Sequence, residues 1–119
     1  MTATLTKTFH FEAAHTLPRV APDHQCARMH GHSYKVEISV TGPVGSDTGW
    51  VMDHAEIGAA AKPLIARLDH RYLNDIPGLE NPTFENIAAW LWRELKPSIP
   101  LLSAISVHET PTSCCVYRG

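Results

Sequence analysis

From Leu5 to His15 the chain alternates: Phe9, Phe11 and Ala13 share one parity, and His10 and Glu12 take the other. A period of two is the mark of a half-buried strand. A second alternating run spans about His30 to Thr41, with Tyr34, Val36, Ile38 and Val40 on one face and Lys35, Glu37 and Ser39 on the other. Between them, Thr16 to Arg28 carries Pro18, Pro22 and Asp23 and reads as an irregular loop. Gly42, Pro43, Gly45, Ser46 and Gly49 mark a turn-rich segment after the second run. Asp53 followed by Glu56 is a helix start, and predicts a helix from His54 toward Leu68. Pro63 lies inside that span, where it removes one backbone donor, so a kink or split is expected.

Asp69 to Pro82 reads as loop. Thr83 is placed to cap a second helix, with Ile87, Trp90, Leu91 and Glu94 marking its first face and Lys96-Pro97 its end. Two short strands follow, about Leu101 to Glu109 and Ser113 to Arg118, joined by a turn at Pro111. The order β-β-α-α-β-β predicts an α+β fold, an antiparallel four-stranded sheet with two helices on one face. With 119 residues and 13.1 kDa, the folded surface should be about 6,400 Å². That suits one core, so residues 1–119 are expected to form a single domain.

Composition then narrows the chemistry. Ten basic against twelve acidic residues give a net charge of −2, which lacks the basic footprint of a nucleic-acid binder. The sequence has no apolar run near the ~20 residues a bilayer span requires, so no membrane partner is expected. Three Cys without a C-x-x-C spacing argue against a disulfide framework, and the N-terminal segment lacks a signal-peptide h-region. A cytoplasmic location is expected. The unusual count is eight His. His15 continues the parity of Phe9, Phe11 and Ala13, and His30 and His32 continue that of Tyr34 and Val36. If the two strands pair antiparallel, all three imidazoles project from one face at one end of the sheet. Three His without a fourth protein ligand describe a zinc site that keeps a position open.

Other residues are more ambiguous. Cys26, four positions before His30, reads as a fourth zinc ligand, a buried inert thiol or an activated base. Asp69-His70 reads as a carboxylate orienting an imidazole, or as an ordinary capping pair after a helix. Glu109 shares the parity of Ile105 and Val107, so it needs a partner, either an Arg or a ligand presenting paired N–H donors. Arg19, Arg28 and Arg71 are the candidates for phosphate contact, since no Gly-rich phosphate loop is present. His30, His32 and Glu37 mimic an H-x-H-x4-E metal run, but Glu37 has the opposite strand parity. A zinc-stabilised interaction module, with Cys26 closing a His₃Cys site, is the non-enzymatic alternative.

Six segments taken together resemble the 6-pyruvoyl tetrahydropterin synthase and 6-carboxytetrahydropterin synthase family. They are FEAAH (11–15), C-x3-HGH (26–32), GWVMDHAEI (49–57), LDHRYLN (68–74), PTFENIAAWLW (82–92) and VHET (107–110). The resemblance implies the tunnelling fold, in which protomers assemble into barrels, and a homo-oligomer, a hexamer built as a dimer of trimers with sites at subunit interfaces. It implies zinc held by His15, His30 and His32, Cys26 as catalytic base, His70 supported by Asp69 as relay, and Glu109 as the anchor of the pterin ring. The short chain and the C-x3-HGH loop look more like the bacterial 6-carboxy-5,6,7,8-tetrahydropterin synthase. That enzyme is a carbon–carbon lyase converting 7,8-dihydroneopterin triphosphate to 6-carboxytetrahydropterin, acetaldehyde and triphosphate on the route to queuosine. The 6-pyruvoyl-forming sister, which eliminates triphosphate, shares the site residues and is the alternative. Some relatives carry Glu near the Cys26 position; this chain does not.

Overall fold

A computed structural model describes residues 1–119. Both alternating runs form strands of fourteen residues, β1 (Thr2–His15) and β2 (His30–Pro43). They pair antiparallel along their whole length, from Thr2 opposite Pro43 to His15 opposite His30. Helix α1 (His54–Leu68) follows, then a two-residue strand β3 (Arg71–Tyr72), helix α2 (Phe84–Leu95), and strands β4 (Leu102–Thr110) and β5 (Ser113–Tyr117). The sheet is five-stranded and mixed, in the order β3-β1-β2-β4-β5, which corrects the four-stranded antiparallel expectation. The added strand, β3, lies in the segment read as loop and pairs parallel to β1 at Ala13 and Ala14. Two residues are too few to show a period, so their pairing is invisible in the sequence.

One face of the sheet carries Phe9, Phe11, Tyr34, Val36, Ile38, Ile105 and Val107, and both helices cover it. α1 contributes Ile57, Ala61, Leu64, Ile65 and Leu68, and α2 contributes Ile87, Ala88, Trp90, Leu91 and Leu95. Leu95 replaces the expected Glu94, which is exposed and lies 3.9 Å from Arg67. Both predicted caps form: Asp53 accepts from Ala55 N–H at 2.9 Å, and Thr83 accepts from Asn86 N–H at 3.1 Å. The other face stays uncovered. It is lined by hydroxyl pairs across the strands, Thr4–Thr41 and Thr6–Ser39 at 2.8 Å each, and by Glu12 accepting from Ser33 at 2.7 Å.

The long hairpin makes the molecule 57 × 24 × 21 Å, with a radius of gyration of 15.5 Å. A compact chain of this length has about 13.5 Å. The surface, 6793 Å², likewise exceeds the expected ~6,400 Å². No helix is long and apolar enough to cross a membrane.

Pro63 neither breaks nor splits α1. The donor it lacks would have served the carbonyl of Ala59, and both residues face solvent, so water can satisfy that oxygen. The cost of proline in a helix interior remains. Pro63→Ala should therefore raise the unfolding free energy by about 2 kcal/mol, read as a higher midpoint in urea titration with unchanged slope.

Candidate metal centre and its surroundings

The register of β1 and β2 puts His15 opposite His30 and Ala13 opposite His32, so the three imidazoles meet at the end of the hairpin. Their ring centroids lie 4.5, 4.9 and 5.1 Å apart. One nitrogen from each comes within 4.8 Å of the others. Backbone carbonyls select which nitrogen is free. His15 Nδ1–H donates to the carbonyl of Pro82 at 2.8 Å, and His30 Nδ1–H donates to that of Arg28 at 2.7 Å. A carbonyl can only accept, so both Nδ1 atoms carry the proton and both Nε2 atoms keep a lone pair. His32 Nε2 is buried with no partner. Three clustered imidazoles, two of them tied through Nδ1–H to backbone carbonyls and the third with an unpartnered Nε2, match the donor set of a divalent metal of the zinc type.

Burial disfavours the charged form of two of these rings. His15 is 1% exposed, and burial is the main cause pulling its pKa down to about 4; the bond to Pro82 opposes this, and His30 and His32 add to it. His32 is lowered mainly by burial and then by His30. The chain leaving His15 is clamped. Thr16 N–H donates to Asn74 Oδ1, Asn74 Nδ2 donates back to Thr16 O, both at 2.9 Å, and Thr16 Oγ1 meets the Tyr72 hydroxyl at 2.9 Å. Tyr34, opposite Phe11 and stacked on it at 4.6 Å, is fully buried, and its phenol pKa is pushed up by burial and by Glu109.

Cys26 lies in a single helical turn (Gln25–Ala27) in the loop before β2. His24 caps that turn, its Nδ1 accepting from Cys26 N–H at 3.0 Å. The thiol is outside the group of mutually close ligand atoms, so the structure does not display a closed His₃Cys site. It does line one cavity with His30 and His32. Glu37 is on the uncovered face, accepting from His108 Nε2 at 2.6 Å, away from the imidazole group as its parity requires.

Asp69 and His70 sit at the other edge of β1. Asp69 accepts from Glu12 N–H at 2.9 Å and lies 3.0 Å from His70 Nδ1. Those contacts, the backbone bond first, hold its carboxyl below the ordinary range. His70 has φ +57°, a left-handed conformation rare outside glycine, and its N–H donates to Glu12 O at 2.6 Å. Its ring is 79% exposed. No hydrogen bond links His70 to Cys26, and they line different cavities, which meet only at Gly31 and His32. Gly31 leaves that strip of strand bare although the protomer does not require it, since an added Cβ would come no nearer than 3.4 Å to Ala13 O.

Glu109 is half-buried at the end of β4 and shares a third cavity with His32, Ser33, Lys35 and Thr110. Burial raises its pKa, His30 opposes that rise, and Glu85 at the start of α2 adds to it. The same Glu85, after burial, raises Cys115 on β5. Sequence reasoning passed over Tyr34, Asn74, Glu85 and the Pro82 carbonyl. Asn74, Pro82 and Glu85 fall inside the quoted family segments, which was the signal available for them. Of the three candidate arginines, only Arg28 touches the imidazole group, and through its carbonyl rather than its guanidinium.

A family model described as 6-pyruvoyl tetrahydropterin synthase matches residues 4–119. A protein of Synechocystis sp. named 6-carboxy-5,6,7,8-tetrahydropterin synthase is 44% identical over 117 residues, covering 93% of this chain and 89% of that protein. A Drosophila melanogaster protein named 6-pyruvoyl tetrahydrobiopterin synthase is 38% identical over 97 residues, covering 76% of this chain and 58% of that protein. The solved structure of Caenorhabditis elegans 6-pyruvoyl tetrahydropterin synthase superposes with a TM-score of 0.92 at 25% identity, covering 100% of this chain and 96% of that one.

The lowered His15 pKa has a consequence for the metal-free protein. Above about pH 6.5 neither folded nor unfolded chain protonates this ring. Between 6.5 and about 4 the unfolded chain takes a proton that the folded one refuses, so stability falls as pH drops. Denaturant titrations of chelator-treated protein should lose about 3 kcal/mol from this group between pH 7.5 and pH 4. His15→Gln should flatten that part of the profile.

Proposed function

The chain belongs to the 6-pyruvoyl tetrahydropterin synthase family, and on that premise we propose that it is a zinc-dependent 6-carboxy-5,6,7,8-tetrahydropterin synthase. The reaction assigned to it turns 7,8-dihydroneopterin triphosphate and one water into 6-carboxytetrahydropterin, acetaldehyde and triphosphate, a carbon–carbon lyase step toward queuosine. The observation that carries the reading is the cluster of three imidazoles, two with Nδ1–H tied to backbone carbonyls, beside a cavity that Cys26 lines. The 44% identity with the Synechocystis protein favours the carboxy product over the pyruvoyl one.

Zinc held by His15, His30 and His32 would act as a Lewis acid on the oxygens of the substrate side chain and acidify the adjacent C–H. The protein's own groups supply the rest. Cys26, as thiolate, takes that proton from its place beside His30 and His32. Glu109 anchors the heterocycle, its carboxylate accepting from two neighbouring N–H groups of the pterin edge, an interaction that favours the ionised form against the raising effect of burial. Asp69 orients the His70 ring through Nδ1 and leaves Nε2 to exchange protons with substrate or water.

Cys26 and His70 line separate cavities of one protomer, which supports sites completed between subunits. Two further features favour assembly. β3 covers β1 only at Ala13 and Ala14, and β5 is an open edge, so backbone donors and acceptors stand free on both sides of the sheet. The uncovered face is long and polar, suited to the interior of a barrel closed by other copies. The assembly is a hexamer, a dimer of trimers, and the location is cytoplasmic. Light scattering at micromolar concentration should give roughly six times the chain mass; a monodisperse monomer overturns the arrangement.

Incubation with 7,8-dihydroneopterin triphosphate tests the reaction directly. Acetaldehyde release identifies the carboxy-forming enzyme, because the pyruvoyl product retains every side-chain carbon. Two substitutions separate the roles at the site. Cys26→Ala should keep stoichiometric zinc and thermal stability while losing turnover by at least about 10²-fold. His32→Ala should lose zinc and activity together. Loss of zinc from Cys26→Ala would return the thiol to a structural role.

A further inference from the structure

The bond that orients the His15 ring joins segments 67 residues apart: Nδ1–H at the end of β1 donates to the Pro82 carbonyl just before α2, at 2.8 Å. One side chain ties those two segments together. Asn74 Oδ1 accepts from Thr16 N–H and Asn74 Nδ2 donates to Thr16 O, both at 2.9 Å, and Thr16 is the residue after His15. The same Nδ2 reaches the carbonyl of Glu80, two residues before Pro82, at a longer 3.4 Å. A backbone N–H needs an acceptor and a backbone C=O needs a donor, so only an amide can serve both, and its orientation is forced.

The strand register explains why Asn74 is placed to do this. β3 pairs with β1 at Ala13 opposite Arg71 and Ala14 opposite Tyr72, and Asn74 lies two positions beyond Tyr72 as Thr16 lies two beyond Ala14. The main chain turns away at Leu73–Asp75, and the Asn74 amide supplies the pair of bonds that the ladder would have made next. Its neighbour Leu73 is fully buried, so the turn is anchored in the core. On the other side of Pro82, Asn86 Nδ2 donates to Asn81 O at 2.8 Å and holds the same segment to α2.

We propose that Asn74 is a positioning residue for the metal ligand His15. By gripping Thr16 and Glu80 together it keeps the Pro82 carbonyl on Nδ1–H, and so keeps the His15 ring in place beside His30 and His32, with centroids 4.5 and 5.1 Å away. The inference rests on the reading of the three imidazoles as a metal centre. A partner on the outer nitrogen of a ligating imidazole fixes its orientation, and loss of such a partner weakens metal binding about 10–100-fold. No substitution at position 82 removes a backbone carbonyl, so Asn74 is where that bond can be loosened.

Asn74→Ala removes the amide, and Asn74→Asp keeps its shape while losing both donor bonds. Asp53→Ala, which removes the cap of α1 and touches none of these contacts, controls for stability alone. Zinc affinity is measured on wild type and all three variants by competition with a chromophoric chelator. Absorption spectra of the cobalt(II)-loaded proteins read the geometry of the metal's ligands. Both Asn74 variants should hold zinc about 10–100-fold more weakly and show altered cobalt spectra. Asp53→Ala should lose stability in urea yet keep wild-type affinity and spectrum. Unchanged affinity and spectrum in the Asn74 variants overturn the proposal, as does an equal loss in Asp53→Ala. If neither Asn74 variant folds, the wild type decides. Coupling is reciprocal, so zinc must slow hydrogen exchange of the Thr16 amide about tenfold or more, and that of the Ala55 amide by less; equal protection of the two overturns the proposal. A wild type that binds no zinc defeats the metal reading itself, and this inference with it.

Discussion

The antiparallel register between β1 and β2 is the constraint on which everything else depends. His15 stands opposite His30 because Phe11 stands opposite Tyr34 and Phe9 opposite Val36. Side chains alternate between faces, so a slip of one residue would send one strand's apolar set, and its imidazoles, to the other side. Two independent sets of contacts guard against that slip. The apolar set packs under both helices, and on the reverse face Thr4 meets Thr41, Thr6 meets Ser39 and Glu12 meets Ser33. The three-imidazole group is thus a by-product of core formation: residues that could not organise themselves are placed by the fourteen-residue pairing of the strands that carry them.

Burial then does chemical work at the sheet end. The forces that exclude water from Phe11 and Tyr34 also keep His15 and His32 neutral, which is the state a metal ligand needs. The same exclusion raises Glu109 and the Tyr34 phenol, so a carboxyl and a hydroxyl beside the cluster are both biased toward their protonated forms.

How far all this could be read from the chain is best seen residue by residue. The parities of His15, His30 and His32 were legible because strand periodicity needs only local sequence. The caps at Asp53 and Thr83 were legible for the same reason, being contacts between neighbours in sequence. β3 was not, because its two residues pair with Ala13 and Ala14 almost sixty positions earlier. The failure of Pro63 to interrupt α1 was not, because the outcome turned on which way Ala59 and Pro63 face, a property of helix packing. The His108–Glu37 pair escaped notice because it joins two strands 71 residues apart.

By itself, then, the sequence determined the two long strands and two helices, the face each strand buries, and the identity of the three imidazoles, all of which follow from spacing along the chain. Tertiary structure decided what spacing cannot reach. It supplied the Pro82 carbonyl that leaves His15 Nε2 free, the Asn74 clamp on Thr16, and the position of Cys26 in one cavity and His70 in another. The physical reason is common to all of them: a hydrogen bond has an axis and a partner, and both are set only when distant segments have packed.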